Sequence, residues 1–129
     1  MHVLADVMTK DVLAVEGDAR LTQAAARMVA RTVGAVVILE HDRLVGILTE
    51  RDIMKAVASE RANESRVDEW MTRHPEVVGP DDSTDHAAAL MIHGGFRHLP
   101  VVEGNRVVGI VSIRDLVRVA IADTSPRGA

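Results

Sequence analysis

The sequence predicts an α/β fold built from two successive β-α-β-β-α repeats. First, the chain matches itself at a shift of 63 residues, for example where Met8-Thr9 meets Met71-Thr72. Second, each copy has the same order of signals: short apolar runs typical of strands and two segments with helical spacing. Third, neither copy is long enough to bury a sheet alone, so we expect the two repeats to pack on each other.

The composition indicates a globular protein and argues against several function classes. Of the 129 residues, 47% are hydrophobic and 26% are charged, which is ordinary for a folded domain. One Phe, one Trp and no Tyr leave almost no surface on which nucleic-acid bases could stack. The net charge of −4 gives no attraction to phosphate polymers or anionic membranes. We therefore expect neither nucleic-acid nor membrane binding.

The absence of cysteine and of targeting signals bears on the possible chemistry and on the cellular location. The absence of cysteine excludes disulfides, a zinc-thiolate site and a cysteine nucleophile. No apolar run approaches the roughly 20 residues that span a bilayer, and the N-terminus lacks a signal-peptide pattern. These features predict a cytoplasmic protein.

The repeats divide the chain into residues 1–60 and 67–123. A polar linker is expected at about 59–66, and a flexible tail at 124–129. Each repeat opens with a helical lead-in, at residues 4–8 or 67–71.

Five further elements are expected in each repeat. Short strands are predicted at 12–15 and 76–78, followed by longer ones at 35–39 with 44–48 and at 98–102 with 107–111. A first helix is predicted from apolar residues at helical spacing, namely Leu21, Ala24, Ala25, Met28 and Val29, and Thr84, Ala87, Ala88, Met91 and Ile92. A second helix is expected to begin at Thr49 or Ser112 and to end near residue 59 or 123.

A seven-residue stretch, Gly46 to Asp52, recurs as Gly109 to Asp115. Each copy of this heptad joins the end of a strand to the first turn of a helix. Ser or Thr followed three residues later by an acid is typical of a capping box. The same turn can also hold an anion on its unpaired N–H groups, and the heptad alone leaves both interpretations open.

A strand-helix-strand-strand-helix unit that ends in this heptad and is doubled at about sixty residues resembles the cystathionine β-synthase (CBS) domain pair. The repeat openers at residues 6–9 and 69–72, and the strand at 96–102, also match that family. The resemblance covers about residues 4–122. It implies two repeats related by a pseudo-twofold axis, with an adenosine-containing ligand such as AMP, ADP, ATP, S-adenosylmethionine or NAD in clefts between them. It also implies a regulatory protein rather than an enzyme, without a catalytic cofactor.

The resemblance assigns roles to the polar residues of both heptads. Asp52 and Asp115 would accept hydrogen bonds from ribose hydroxyls, as a carboxylate suits a diol. Thr49 and Ser112 would donate to the α-phosphate beside the helix amides. Gly46 and Gly109 are consistent with close approach by a base or another strand, or with a β-bulge.

Aliphatic side chains would have to flank the adenine because no aromatic ring is available. The candidates are Ile47 and Leu48 with Val77 for one cleft, and Ile110 and Val111 with Leu13 for the other. The alternative is that these are core strand residues.

The two clefts are predicted to be unequal. Arg97-His98 in the second repeat corresponds to Gly34-Ala35 in the first. By family analogy, Arg97 and His98 serve the Thr49/Asp52 cleft, where a guanidinium suits phosphate. The opposite cleft has Ala35 in that place and lacks the charge.

Other candidates leave alternatives open. Arg51 and Arg114 could reach phosphate or remain solvated in the first helical turn. His86 and His93 share a predicted helix face but are about 10 Å apart, too far to share an ion unaided. Trp70 is expected to anchor a lead-in within a repeat or a dimer interface.

Two functions remain at this point. The first is a regulatory module that binds an adenosine ligand. The second is a structural module whose empty clefts hold a homodimer together through Ala- and Met-rich helices.

Overall fold

The computed structural model of the chain describes residues 2–124, with the side chain of Thr124 excepted. It divides into two compact units. The first-repeat unit comprises Val12–Pro75, and the second-repeat unit comprises Met1–Asp11 with Glu76–Ala129. The predicted tail at 125–129 lies outside the described residues, and Thr124 is the last residue of a helix.

The first-repeat unit is a four-stranded sheet with two helices. Its elements are β1 (Ala14–Val15), α1 (Leu21–Arg31), β2 (Ala35–Glu40), β3 (Arg43–Thr49), α2 (Glu50–Ala58) and β4 (Thr72–Arg73). The strand order is β1-β2-β3-β4, with β1 parallel to β2 and the other neighbours antiparallel. The predicted first strand at 12–15 is shorter than expected, although Leu13 still accepts a hydrogen bond from Val37 N at 3.1 Å.

The second-repeat unit repeats this plan around a two-stranded sheet. Its elements are α3 (Thr84–Gly94), β5 (His98–Glu103), β6 (Arg106–Ser112) and α4 (Ile113–Thr124). The strand predicted at 76–78 is wrong as a strand, because only Val78 pairs, in a single parallel bridge with Val101. Gly79 and Pro80 turn the chain away directly afterwards, and Pro80 has no N–H to continue a ladder.

Each lead-in forms a single 3-10 turn, Leu4–Asp6 or Val67–Glu69, rather than a longer helix. The turn of each repeat belongs to the unit of the other. Leu4 is fully buried in the apolar core of the second-repeat unit, and Val67 is fully buried in that of the first. The compact units therefore differ from the sequence repeats by an exchange of these segments.

The exchanged segments also complete the sheets. β4 pairs with β3 through Thr72 and Ile47, and Thr9 pairs in the same way with Ile110 of β6. The sequence did not predict these edge pairings, because two or three residues after a turn carry no periodic signal.

The four main helices and the two long hairpins agree with the sequence prediction to within a few residues. Leu21, Ala24 and Met28 are buried on α1, as Ala87 and Met91 are on α3. Val29 and Ile92 lie in the predicted helices but are 80% and 75% exposed. Each lies one step around the helix from the buried Met, at the edge of the apolar stripe.

The region predicted as a linker packs on the first-repeat unit. It contains a 3-10 turn at Ala62–Glu64, and Ser65 behind it is buried. The Ser65 hydroxyl donates to the Arg61 carbonyl at 2.7 Å, and the Ser65 carbonyl accepts from Leu21 N at 2.9 Å. Next to it, a hydrogen bond to Asp68 and the charge of that carboxylate raise the pKa of Arg66.

Candidate ligand-binding site

The first heptad forms a reciprocal capping box at the start of α2. The backbone N–H of Thr49 donates to Asp52 Oδ2 at 2.9 Å, and the backbone N–H of Asp52 donates to Thr49 Oγ1 at 3.4 Å. The Thr49 hydroxyl also donates to Asp52 Oδ2 at 3.1 Å. The predicted capping role is confirmed.

The second heptad has the same arrangement at the start of α4. The backbone N–H and the hydroxyl of Ser112 both donate to Asp115 Oδ2, at 2.8 and 3.0 Å. The backbone N–H of Asp115 returns a bond to Ser112 Oγ at 3.2 Å. The two copies are therefore equivalent in their caps.

These bonds determine what the heptads can still do chemically. In both copies the Oδ2 atom of the aspartate already accepts two hydrogen bonds, so Oδ1 is the oxygen with accepting capacity left. Thr49 and Ser112 could donate to a phosphate only by turning the hydroxyl away from the carboxylate. The remaining N–H groups of the first helical turn need no such change.

The glycine of each heptad is explained by packing within its unit. A methyl group at Gly46 would lie 2.6 Å from Met71 Sδ and 3.0 Å from the Thr72 carbonyl oxygen. At Gly109 it would meet Met8 Sδ and the Thr9 carbonyl oxygen in the same way. A β-bulge also lies beside each glycine, where the register of the hairpin shifts. Another strand and a bulge, two of the three predicted causes, are both present.

The start of the middle strand lies beside the heptad in each unit. Ala35 pairs with Thr49, and His98 pairs with Ser112. The first residue of each second helix also donates its N–H to the residue before that strand: Glu50 N to Gly34 O at 3.0 Å, and Ile113 N to Arg97 O at 2.9 Å.

In the second repeat, this places the backbone of the Arg97-His98 pair next to the heptad of its own repeat. Arg97 is exposed and His98 is half-buried. The assignment of both side chains to the Thr49/Asp52 cleft stays a prediction.

The aliphatic candidates fall into two groups. Leu13 and Leu48 are both buried in the core of the first-repeat unit, and Val111 is buried in that of the second. This placement favours the core alternative for these three side chains. It also places Leu13 and Leu48 in the same core, because the chain before β1 runs beside β2.

Three aliphatic candidates lie outside both core clusters. Ile47 is buried, Ile110 is half-buried, and Val77 is exposed. Val77 and Ile110 therefore keep exposed surface that can contact a flat apolar group, whereas Ile47, at 6% exposure, has almost none.

The basic residues of the heptads are exposed, and neither Arg51 nor Arg114 forms an ion pair within residues 2–124. The sequence analysis missed a different cation, Arg118, whose Nη1 lies 3.7 Å from Asp115 Oδ1. The signal was present, because residues three apart on a helix are neighbours.

The other candidates have structural surroundings. His86 and His93 are exposed, and no group of three potential metal-ligating side chains occurs in the described part of the chain. Trp70 packs against the first-repeat core, with Arg61 positioned 5.7 Å over its ring. The buried Nε1 of Trp70 finds no hydrogen-bond partner among the described residues. As predicted, it anchors a lead-in within a unit.

Comparison with known proteins identifies the family. The model of the CBS domain family matches residues 4–59 and 67–122. The chain belongs to the CBS domain family. Two matched copies confirm the predicted tandem repeat, and helices and strands occur together as the predicted fold class requires.

Similar proteins share this architecture along most of the chain. A putative signal-transduction protein with CBS domains from Burkholderia ambifaria is 33% identical, with a TM-score of 0.91 over 99% of this chain and 100% of that one. The CBS domain pair of the protein MJ0100, solved with 5′-methylthioadenosine and S-adenosylmethionine, is 28% identical, with a TM-score of 0.90 over 96% and 99% of the two chains.

Sequence relatives vary in length. An uncharacterised 17.7 kDa protein of Acidianus ambivalens is 39% identical over 89% of this chain and 71% of its own length. The chain spans only 42% of a longer Methanocaldococcus jannaschii relative. Within residues 2–124 of the present chain, no helix has both the length and the apolar character needed to cross a membrane.

Proposed function

We propose that this CBS domain pair is a regulatory module that binds an adenosine-containing ligand and signals its level to a partner protein. AMP, ADP and ATP are the first candidates, followed by S-adenosylmethionine and NAD. The observation that carries the proposal is the duplicated heptad, in which each aspartate is fixed by its cap through Oδ2 and keeps Oδ1 outside the cap. The adenosine derivatives bound to the CBS pair of MJ0100 support the ligand class.

The geometry of the caps is compatible with the roles that the resemblance implies for these residues. Asp52 Oδ1 and Asp115 Oδ1 would accept hydrogen bonds from ribose hydroxyls. The amides at the start of α2 and α4, with the hydroxyls of Thr49 and Ser112, would hold the phosphate. This division suits a nucleoside phosphate because an acceptor and a set of donors lie one helical turn apart.

The flanking residues complete the proposal. Ile110 and Val77 would contact the adenine because they lie outside the core clusters and keep exposed surface. Arg97 and Arg114 would attract the phosphate. We assign no catalytic role, because the proposed contacts bind and orient a ligand and supply no nucleophile.

Calorimetry with the full chain tests the proposal. Titration with AMP, ATP, S-adenosylmethionine and NAD should reveal binding of at least one ligand. Asp52→Asn keeps an oxygen for the cap but presents an amide where ribose needs an acceptor, so binding at that heptad should be lost. Glu40→Gln is the control for loss of one acidic charge, since this residue is exposed at the far end of β2 and its side chain makes no hydrogen bond or ion pair in the described part of the structure. The proposal is wrong if none of the four ligands binds.

A second candidate function is a structural homodimer, and exposed apolar helix residues favour it. In the first-repeat unit these are Val29, Met54 and Val57, and in the second they are Ile92, Val117 and Ile121. Large apolar side chains exposed in groups on helices are typical of an interaction surface. We propose that a second copy of the chain covers them, which is compatible with ligand binding. Sedimentation would distinguish a dimer from a monomer.

A further inference from the structure

We propose that Arg118 lowers the affinity of the second heptad for an adenosine ligand relative to the first, because it weakens ribose binding at Asp115. The inference rests on the proposed function, since it takes Asp52 and Asp115 as the ribose acceptors. Arg118 lies outside both heptads. The two caps have the same hydrogen bonds, and Arg118 would make them differ as binding sites.

The contact involves the one carboxylate oxygen that the second cap leaves available. Arg118 Nη1 lies 3.7 Å from Asp115 Oδ1, and the side chains are 70% and 15% exposed. Asp115 Oδ2 already accepts from the backbone N–H and the hydroxyl of Ser112. The guanidinium therefore lies beside the oxygen that a ribose hydroxyl needs.

The first repeat provides an internal comparison. Lys55 stands at the position of Arg118, three residues after Asp52. Lys55 forms no ion pair or hydrogen bond with Asp52 in the described part of the chain, so Asp52 Oδ1 is uncommitted there. A guanidinium presents a planar fork of donors, whereas an ammonium is compact and strongly hydrated.

The expected effect is modest, because Arg118 is mostly exposed and water screens its charge. Competition from one exposed ion pair corresponds to roughly a two- to fivefold change in affinity. With an effect of this size, the first heptad binds ligand at a lower concentration than the second, but both heptads can still bind it.

The charge of Arg118 could also attract a phosphate, so the probe must separate the two effects. 5′-Methylthioadenosine has the ribose diol but no phosphate, so only competition at Oδ1 acts on it. AMP has both groups. Removal of Arg118 should therefore raise the affinity for 5′-methylthioadenosine by more than it raises the affinity for AMP.

The test uses the full chain with the ribose acceptor of one heptad removed, so that only the other heptad is measured. In the Asp52→Asn background, calorimetry measures 5′-methylthioadenosine at the Asp115 heptad. Arg118→Gln should tighten binding roughly two- to fivefold, and Arg118→Lys, which copies the first repeat, should do the same. An effect of net charge alone would instead separate the two substitutions, because Lys keeps the charge and Gln loses it.

The matched control is made at the other heptad. In the Asp115→Asn background, Lys55→Gln should leave the affinity for 5′-methylthioadenosine unchanged, whereas Lys55→Arg should weaken it. The role of Arg118 is overturned if the Asp52→Asn protein binds this probe equally well with and without Arg118→Gln or Arg118→Lys. It is also overturned if the Asp52→Asn, Arg118→Gln protein shows no measurable binding. Failure of the unmodified chain to bind any adenosine probe overturns the proposed function instead.

Discussion

Met71 Sδ lies directly against the backbone of Gly46, so close that a methyl group on Gly46 would come within 2.6 Å of the sulfur. The contact joins the lead-in of the second repeat to the last long strand of the first. It explains why the heptad begins with glycine, independently of any ligand.

Gly46→Ala should therefore destabilise the protein by about 1–3 kcal/mol, the usual effect of overpacking. Urea unfolding measures this free energy. Gly79→Ala is the control, because its nearest atoms would lie at 3.7 and 4.0 Å, which is ordinary contact. Adding Met71→Ala to Gly46→Ala should recover less than the full loss, since the Thr72 carbonyl oxygen at 3.0 Å remains in place. Equal stability of the two glycine variants would contradict the packing explanation.

Loss of the Thr49 cap should shorten or loosen α2. Thr49→Ala removes the acceptor of the Asp52 amide and should lower the free energy of unfolding by about 1 kcal/mol, whereas Thr49→Ser should keep most of it. Thermal unfolding followed by circular dichroism measures the difference. Gln23→Ala, at an exposed position in α1, serves as the control and should change stability little. A Ser variant as unstable as the Ala variant would argue against the hydroxyl as the cause.

The first residues of the chain should stabilise the second repeat. Leu4 is fully buried among residues of the second-repeat unit, so Leu4→Ala should lower the free energy of unfolding by about 2–5 kcal/mol. Hydrogen exchange should then increase in β5 and β6 before it increases in β2. Lys10→Ala, an exposed neighbour, should change neither measurement. Faster hydrogen exchange confined to the first-repeat unit would contradict the placement of Leu4 in the second-repeat unit.

Ligand binding should stabilise the folded chain by mass action. At a hundredfold excess of ligand over its Kd, the gain is about 2.7 kcal/mol and appears as a rise in Tm. Asp52→Asn should remove most of the rise that comes from the first heptad, and Asp115→Asn should remove that from the second. The Glu40→Gln control should respond to ligand as the unmodified chain does. An undiminished rise in the variant with both aspartates replaced would place the ligand elsewhere.

Charge on the exposed helix surface should prevent self-association. Val29→Glu with Ile92→Glu adds a charge to each unit at side chains that are mostly exposed, so the fold should tolerate both changes. Sedimentation should then show a monomer, whereas the proposed function expects the unmodified chain to be a dimer. Gln23→Glu, exposed on α1, is the control for charge alone. A dimer that persists in the double variant would exclude this surface as the interface.

The sequence predicted the repeat, the helices and the long hairpins because these depend on periodicity, which is local and occurs twice. It also predicted the caps, since Thr49 and Asp52 are close in the chain. It did not predict that the lead-ins exchange units. That pairing joins residues far apart in sequence, and Thr9 carries no signal that it will pair with Ile110.

The prediction of site residues had a similar limit. Spacing correctly placed the aspartates at the first turns of α2 and α4, where each is held by two hydrogen bonds. It could not distinguish ligand-facing from core aliphatic side chains, because both alternate along a strand in the same way. Leu48 and Val111 are examples: the sequence offered both as adenine contacts, and the structure places both in the cores.

The exchange of lead-ins also bears on how the protein is made. Thr9 and Ile110 are hydrogen-bonded partners separated by about a hundred residues, and contacts at such separation form slowly. During synthesis the chain emerges N-terminus first. The core that buries Leu4 therefore cannot form until β6 has left the ribosome. The first-repeat unit, by contrast, can close as soon as Arg73 is exposed. Residues 4–9 are therefore synthesised before the rest of the second-repeat unit but can fold only after it.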